Sequence, residues 1–198
     1  MRRLSLLFLL LSLAGCSSHP ALSKAEKELI TGSPDVMRVL TVEDRKDSLF
    51  LRKTAKDFSD RDLNSEEFRA LARKMVRTVT DPSQDGVGIA GPQVGICRRV
   101  VAVQRFDKQD EPFEVYANVR IDSLYGPMAI GQEGCLSVPG KRGTVPRWTN
   151  AVISYKDPAT LQTVRETVSG FTAVIFQHET DHLDGVLYTD KADSLFVR

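Results

Sequence analysis

Gln177-His178-Glu179-Thr180-Asp181-His182 places two histidines four residues apart with a glutamate between them. On a helix, positions i and i+4 project from the same side, one turn apart. Two imidazoles so placed can bind one metal ion, and the intervening Glu179 can reach a water on that ion. The chemistry of such an arrangement is metal-assisted hydrolysis. The bland alternative is a pair of core histidines satisfied by backbone carbonyls. The apolar spacing of the flanking residues favours the metal.

A third ligand decides the class of hydrolase. The metzincin pattern needs a histidine six residues after the second, and Tyr188 stands there, although Gly185 is present. Glutamate-type zincins need a downstream Glu, and no Glu follows Glu179. Asp184, Asp190 and Asp193 are poor substitutes, so the third ligand is expected upstream.

Upstream lies Glu133-Gly134-Cys135-Leu136-Ser137, which resembles the EGCLS motif of peptide deformylases. Residues 177–185, QHETDHLDG, resemble that family's QHExDHLxG, and residues 86–95, GVGIAGPQVG, resemble its GxGLAAPQ segment. The three motifs stand in family order, and the likeness extends over roughly residues 36 to 190. The resemblance implies that Cys135, His178 and His182 bind one divalent ion. It favours Fe(II), although thiolate and imidazole ligands also accept zinc, nickel or cobalt. It further implies Glu179 as general base, with the Gln93 side-chain amide and the Leu136 backbone N–H as oxyanion donors. Gly88 would let a substrate backbone approach closely. Arg142 stands where the family has an arginine near the substrate, although an exposed structural arginine is the plain alternative.

The activity so implied is removal of the formyl group from N-formylmethionyl peptides. Two rival readings stand beside it. One is an exported binding lipoprotein on a catalytically retired deformylase scaffold, and the other is a broader metallo-amidase or peptidase. Retirement predicts loss of a ligand or of the base, yet all are present. The chain departs from the family pattern at Ile89 and Gly91, where Leu and Ala are usual, and at Val119, where proline is usual after Asn118. The glycines at 86, 88 and 91 also fit a dinucleotide fingerprint, but that motif needs a strand before it and a helix after it. Here a helix is expected before it and Pro92 follows.

These residues need elements to position them. Asn64-Ser65-Glu66-Glu67 resembles a capping box, and Phe68, Leu71, Met75, Val76 and Val79 then recur at helical spacing, which predicts a helix over 65–79. Residues 98–106, 113–121, 151–156 and 163–168 are β-rich runs bounded by turn residues. After Ser169-Gly170, the residues Phe171, Val174, Ile175, His178 and His182 share one face, expected to be apolar and buried, and Gly185 is a plausible helix stop. The expected fold is α+β, with antiparallel strands packed around a central helix bearing the histidines. Cys97 fits no motif and is expected to be a buried packing thiol.

The first residues suggest a further layer. Met1-Arg2-Arg3 is basic, Leu4 to Leu13 is apolar and too short to span a bilayer, and Leu13-Ala14-Gly15-Cys16 resembles the lipobox of bacterial lipoproteins. The expectation is a signal peptide over 1–15, a lipidated Cys16 with a polar tether over 16–35, and one domain over 36–198. Such a protein would be exported and held on a membrane through its lipid, with the outer membrane as one destination. The alternative is a cytoplasmic protein. A net charge of +1 gives no reason to expect a nucleic-acid partner.

Overall fold

The computed structural model describes residues 20–84 and 86–197. The expected leader and Cys16 lie outside the described residues. In chain order the elements are α1 (Lys24–Gly32), α2 (Arg45–Leu51), α3 (Asp60–Leu63), α4 (Glu66–Val79), β1 (Gly88–Ala90), β2 (Val100–Gln104), β3 (Phe113–Cys135), β4 (Val138–Lys156), β5 (Thr163–Ser169), α5 (Gly170–Leu183) and β6 (Ser194–Val197). The sheet runs β1-β2-β3-β4-β5, every pair antiparallel, and β6 pairs with β4. The α+β class holds, with α5 packed against the strands.

β2 explains how the layers stack. All of Val100, Val101, Ala102 and Val103 are buried, and alternate side chains must face opposite sides of the sheet. Val100 and Ala102 join Phe68, Leu71, Met75 and Val79 of α4. Val101 and Val103 join Ala173, Ile175, Phe176 and Leu183 of α5. Each fully buried side chain of this size contributes about 1.5–3 kcal/mol. The sheet is therefore covered on both faces where the site is built.

Three expectations need adjustment. The helix expected over 65–79 begins at Glu66, with Ser65 as its N-cap: Ser65 Oγ accepts from Phe68 N at 3.1 Å. Asn64 cannot be that cap because its backbone closes α3, donating to Asp60 O. The runs at 113–121 and 151–156 are the far ends of one long hairpin, β3–β4, whose tip lies between Cys135 and Val138. On β3 the stretch 122–132 is exposed and broken at Gly126-Pro127, so no alternation marks it, whereas β4 alternates opposite it with Gly143, Val145 and Arg147 buried.

The third adjustment concerns the expected tether. Over its described part, residues 20–35, it is packed against the domain. Ser23 and Glu26 form a reciprocal capping box that starts α1, and Leu22 and Ile30 are buried. Arg98, 4% exposed, donates to Pro20 O (2.6 Å), Ala21 O (2.8 Å) and Asp57 O (3.1 Å), and binds both carboxylate oxygens of Glu26. Lys74 Nζ holds the other end of α1 through Ile30 O and Ser33 O. The polar composition read as a linker is the outer face of a docked helix.

Burial alone would raise the Glu26 carboxyl, but the bonds from Arg98 and Ser23 outweigh it and lower it from 4.5 to about 2. A depressed carboxylate contributes stability above its unfolded value, and that stability disappears as pH falls through the folded value. Glu26→Gln should therefore cost about 1–2 kcal/mol at neutral pH, after allowance for solvent screening. In urea unfolding, the gap between wild type and variant should narrow as pH falls from about 4.5 towards 2. A gap unchanged over that window would remove the ion pair as the clamp.

Candidate metal centre

α5 sets the first two groups. His178 and His182 lie one turn apart, their ring centroids 5.1 Å from each other. The tip of the β3–β4 hairpin brings Cys135 across to them, with Sγ 3.1 Å from His182 Nε2. One ligand atom from each of the three lies within 4.8 Å of the others. Asp184 and Asp190 are engaged elsewhere, through Arg99 and Arg52.

The donor set fits a divalent ion of borderline softness. His178 Nδ1 meets Glu133 Oε2 at 2.7 Å, which fixes the ring and leaves Nε2 for the ion. Glu133 takes two bonds from Arg147, at 2.7 and 3.0 Å, and Arg147 reaches Asp181 Oδ2 at 2.6 Å. Burial alone would raise the Glu133 carboxyl, but the bonds from His178 and Arg147 hold it at about 2. Burial holds the His182 imidazole well below 6.5, in the neutral form a ligand needs. Burial opposes charge on His178 too, yet Cys135 and Glu133 draw a proton to it. A metal ion competes for that same place.

Glu179 stands beside this centre with a different environment. It is 4% exposed, its Oε2 has no hydrogen-bond partner among the described residues, and burial raises its carboxyl from 4.5 to about 7. Such a group can both accept and return a proton near neutral pH. Gly88 is its neighbour across the cleft. A Cβ at Gly88 would meet Glu179 Oε1 at 2.5 Å and Ile175 Cγ2 at 2.8 Å, so the glycine is required by α5 whatever ligand approaches.

Gln93 sits on a 3-10 turn, Gly91–Val94. Its Oε1 accepts from Ala90 N at 2.8 Å, which orients Nε2 towards Ser137 Oγ (3.2 Å) and Cys135 Sγ (3.5 Å). The backbone of residues 40–42 ties both sides together: Leu40 N donates to Gln93 O and Val42 N to Ser137 O. Gly91, unusual for the motif, has no room for a methyl, since a Cβ would lie 2.7 Å from Arg98 O.

A cleft of about 480 Å³ opens onto these groups, lined by Gly88, Gln93, Leu136, Arg142, His178 and Glu179 among others. Arg142 pairs across the hairpin with Gly134. Phe171, expected on the buried face of the helix, is 54% exposed at the cleft, with its ring 5.1 Å from Phe106. Phe171 and Val174 face this cleft, Ile175 lies at its floor within the core, and Ala173, Phe176 and Leu183 pack on the sheet. Cys97 is only half-buried, its thiol raised by burial and directed at Thr54 O.

Sequence reasoning passed over Glu133, Arg147 and Ser137. Glu133 stood beside the third ligand in a quoted motif, a signal that could have identified it. Arg147 carries no such signal, because only the fold brings it to the site.

The sequence model of the family described as Polypeptide deformylase matches residues 36–196. A peptide deformylase of Leptospira biflexa is 36% identical over 151 residues, 73% of this chain and 83% of that protein. One of Desulforudis audaxviator is 42% identical over 132 residues, 67% of this chain and 82% of that protein. Among solved structures, a class I type b peptide deformylase from Acinetobacter baumannii bound to Met-Ala-Ser is 34% identical, with a TM-score of 0.68, covering 79% of this chain and 98% of that one.

Ligand orientation by Glu133 generates a test. Cys135→Ala should abolish stoichiometric metal in elemental analysis. Glu133→Gln should weaken the ion by about 10–100-fold in competition with a chelator, the usual effect of losing such a support. Unchanged affinity in Glu133→Gln would reduce Glu133 to a packing role.

Proposed function

The chain belongs to the peptide deformylase family, and from that premise we propose a role for each group in its cleft. It is a metal-dependent hydrolase that removes the N-formyl group from N-formylmethionyl peptides. One observation carries the assignment of roles: a thiol and two imidazoles converge within 4.8 Å beside a buried carboxylate oxygen that has no partner among the described residues. Met-Ala-Ser in the Acinetobacter structure supports a peptide beginning with methionine as the occupant of the cleft.

Cys135, His178 and His182 hold one divalent ion, which the family resemblance favours as Fe(II). Such an ion supplies Lewis acidity and lowers the pKa of water to about 7. Glu179 takes a proton from the attacking water at Oε2. The water oxygen bonds to the formyl carbon, and the carbonyl oxygen becomes anionic. Gln93 Nε2 and the Leu136 backbone N–H donate to that oxygen. Glu179 then passes its proton to the amine as the C–N bond breaks, giving formate and a free amino terminus. Arg142, on the cleft wall, meets the peptide beyond the methionine. With the ligands, the base and the Gln93 amide gathered on one cleft, a retired scaffold has nothing in its favour.

We also propose that residues 1–15 are a leader and that Cys16 carries lipid, so that the enzyme works outside the cytoplasm on a membrane. The order of basic start, short apolar core and Leu13-Ala14-Gly15-Cys16 supports this reading. Among the described residues no helix is long and apolar enough to cross a membrane.

Glu179→Gln should keep its metal and lose about 10²–10⁴-fold in formate release from formyl-Met peptides. The wild type should strongly prefer formyl over acetyl on the same peptide, since an added methyl must fit beside the ligands. Equal hydrolysis of both would make this a broader amidase. For the anchor, labelled palmitate should enter the wild type but not Cys16→Ala, and only the wild type should fractionate with membranes. An unlabelled, soluble wild-type chain that retains Met1 would restore the cytoplasmic alternative.

A further inference from the structure

α2 buries Asp47 and Leu51 and turns its opposite side outward. On that side Lys46, Leu49 and Phe50 follow helical spacing, and Lys53 continues it just past the helix end. Leu49 is 63% exposed, Phe50 is half-buried, and Lys53 Nζ lies 4.8 Å from the Phe50 ring centroid. Lys46, Lys53 and Lys56 are exposed, and among the described residues none of them forms an ion pair. Two apolar side chains flanked by free lysines form the pattern of a surface that lies at a bilayer interface. Between residues 43 and 56 the chain has five basic and three acidic residues, although it is nearly neutral as a whole.

The position of this face gives it an occupant. Arg98 binds Pro20 O and Asp57 O together, so Pro20, the first described residue, lies on the same side of the domain as Lys56. Four residue steps separate Cys16 from Pro20, a reach of at most about 14 Å. A lipid on Cys16 would therefore hold this side of the domain against the bilayer. None of Lys46, Leu49, Phe50, Lys53 and Lys56 lines the catalytic cleft. Ala55 N bonds to Leu183 O at the C-terminal end of α5, whereas Phe171, at the other end, lines the cleft.

We propose that the face formed by Lys46, Leu49, Phe50, Lys53 and Lys56 rests on an anionic lipid surface and orients the catalytic cleft away from it. This rests on the reading of Cys16 as lipidated. Each lysine near an anionic surface favours the contact by about fivefold, so the three together act as an orienting force beside the anchor.

The test uses the full chain, produced with its leader in a bacterial host. It is placed on vesicles of phosphatidylcholine with phosphatidylglycerol, on pure phosphatidylcholine, and in detergent. A water-soluble amine reagent then labels the lysines. On anionic vesicles, labelling of Lys46, Lys53 and Lys56 should fall several-fold relative to detergent while Lys108 stays reactive; on pure phosphatidylcholine the loss should be smaller. The variant Leu49→Asp, Lys53→Glu, Lys56→Glu should still float with vesicles through its lipid but leave Lys46 fully reactive. A chain that floats and carries lipid, yet labels equally in all three settings, overturns the proposed face and leaves the anchor standing. A chain without lipid overturns the anchor, and the orientation with it. Protection that follows protein concentration in detergent as well would assign the face to a second copy, which also overturns the proposal.

Discussion

The buried carboxylate of Glu133 is the group on which the site depends. A charge so far from water must have its partners supplied by the fold. Arg147 and His178 supply them, one from the facing strand of the hairpin and one from α5. Satisfying Glu133 thus locks the hairpin tip to the helix, and that lock places the Cys135 thiol against the two imidazoles. Arg147 extends the tie to Asp181, on the same helix as both histidines. Hairpin and helix cannot drift apart without exposing an unpaired buried ion.

The second half of the site is held by neutral bonds. Gln93 keeps its amide in one orientation because its own oxygen is bound to Ala90 N. A donor fixed before any substrate arrives needs no reorganisation when charge develops. Gly88 and Gly91 serve the same end from the backbone side, each pressed so close to its neighbours that a methyl would displace them. In this loop the glycines are spatial requirements of the protein itself, and the substrate inherits the space.

How much of this was legible in the sequence depended on how local the signal was. The helix spacing of His178 and His182, the cap region of α4 and the stop at Gly185 are short-range patterns, and they stood within a residue or two of where they fall. Gly185 has φ +74°, and a Cβ there would meet Arg52 O at 2.4 Å. The β3 side of the hairpin was illegible because residues 122–132 lack a buried face, and on β4 the buried positions are Gly143, Val145 and Arg147, of which only Val145 is an apolar side chain. The docking of α1 was illegible for another reason. Its decisive partner, Arg98, is 72 residues from Glu26, and a polar helix held by one buried arginine looks in sequence like a linker. Cys135 entered through its family motif; no spacing rule reaches from a hairpin tip to a helix.

That distance along the chain has a consequence for assembly. Cys135 and His182 are 47 residues apart and on elements of different kinds, so an unfolded chain would have to close a long loop to offer both to one ion. The native state has already met that entropic cost, so the ion binds the folded form far better and favours it by mass action. Loading and folding are thus linked: the three ligands stand together before any ion arrives, and an ion that binds them adds its affinity to the stability of the fold.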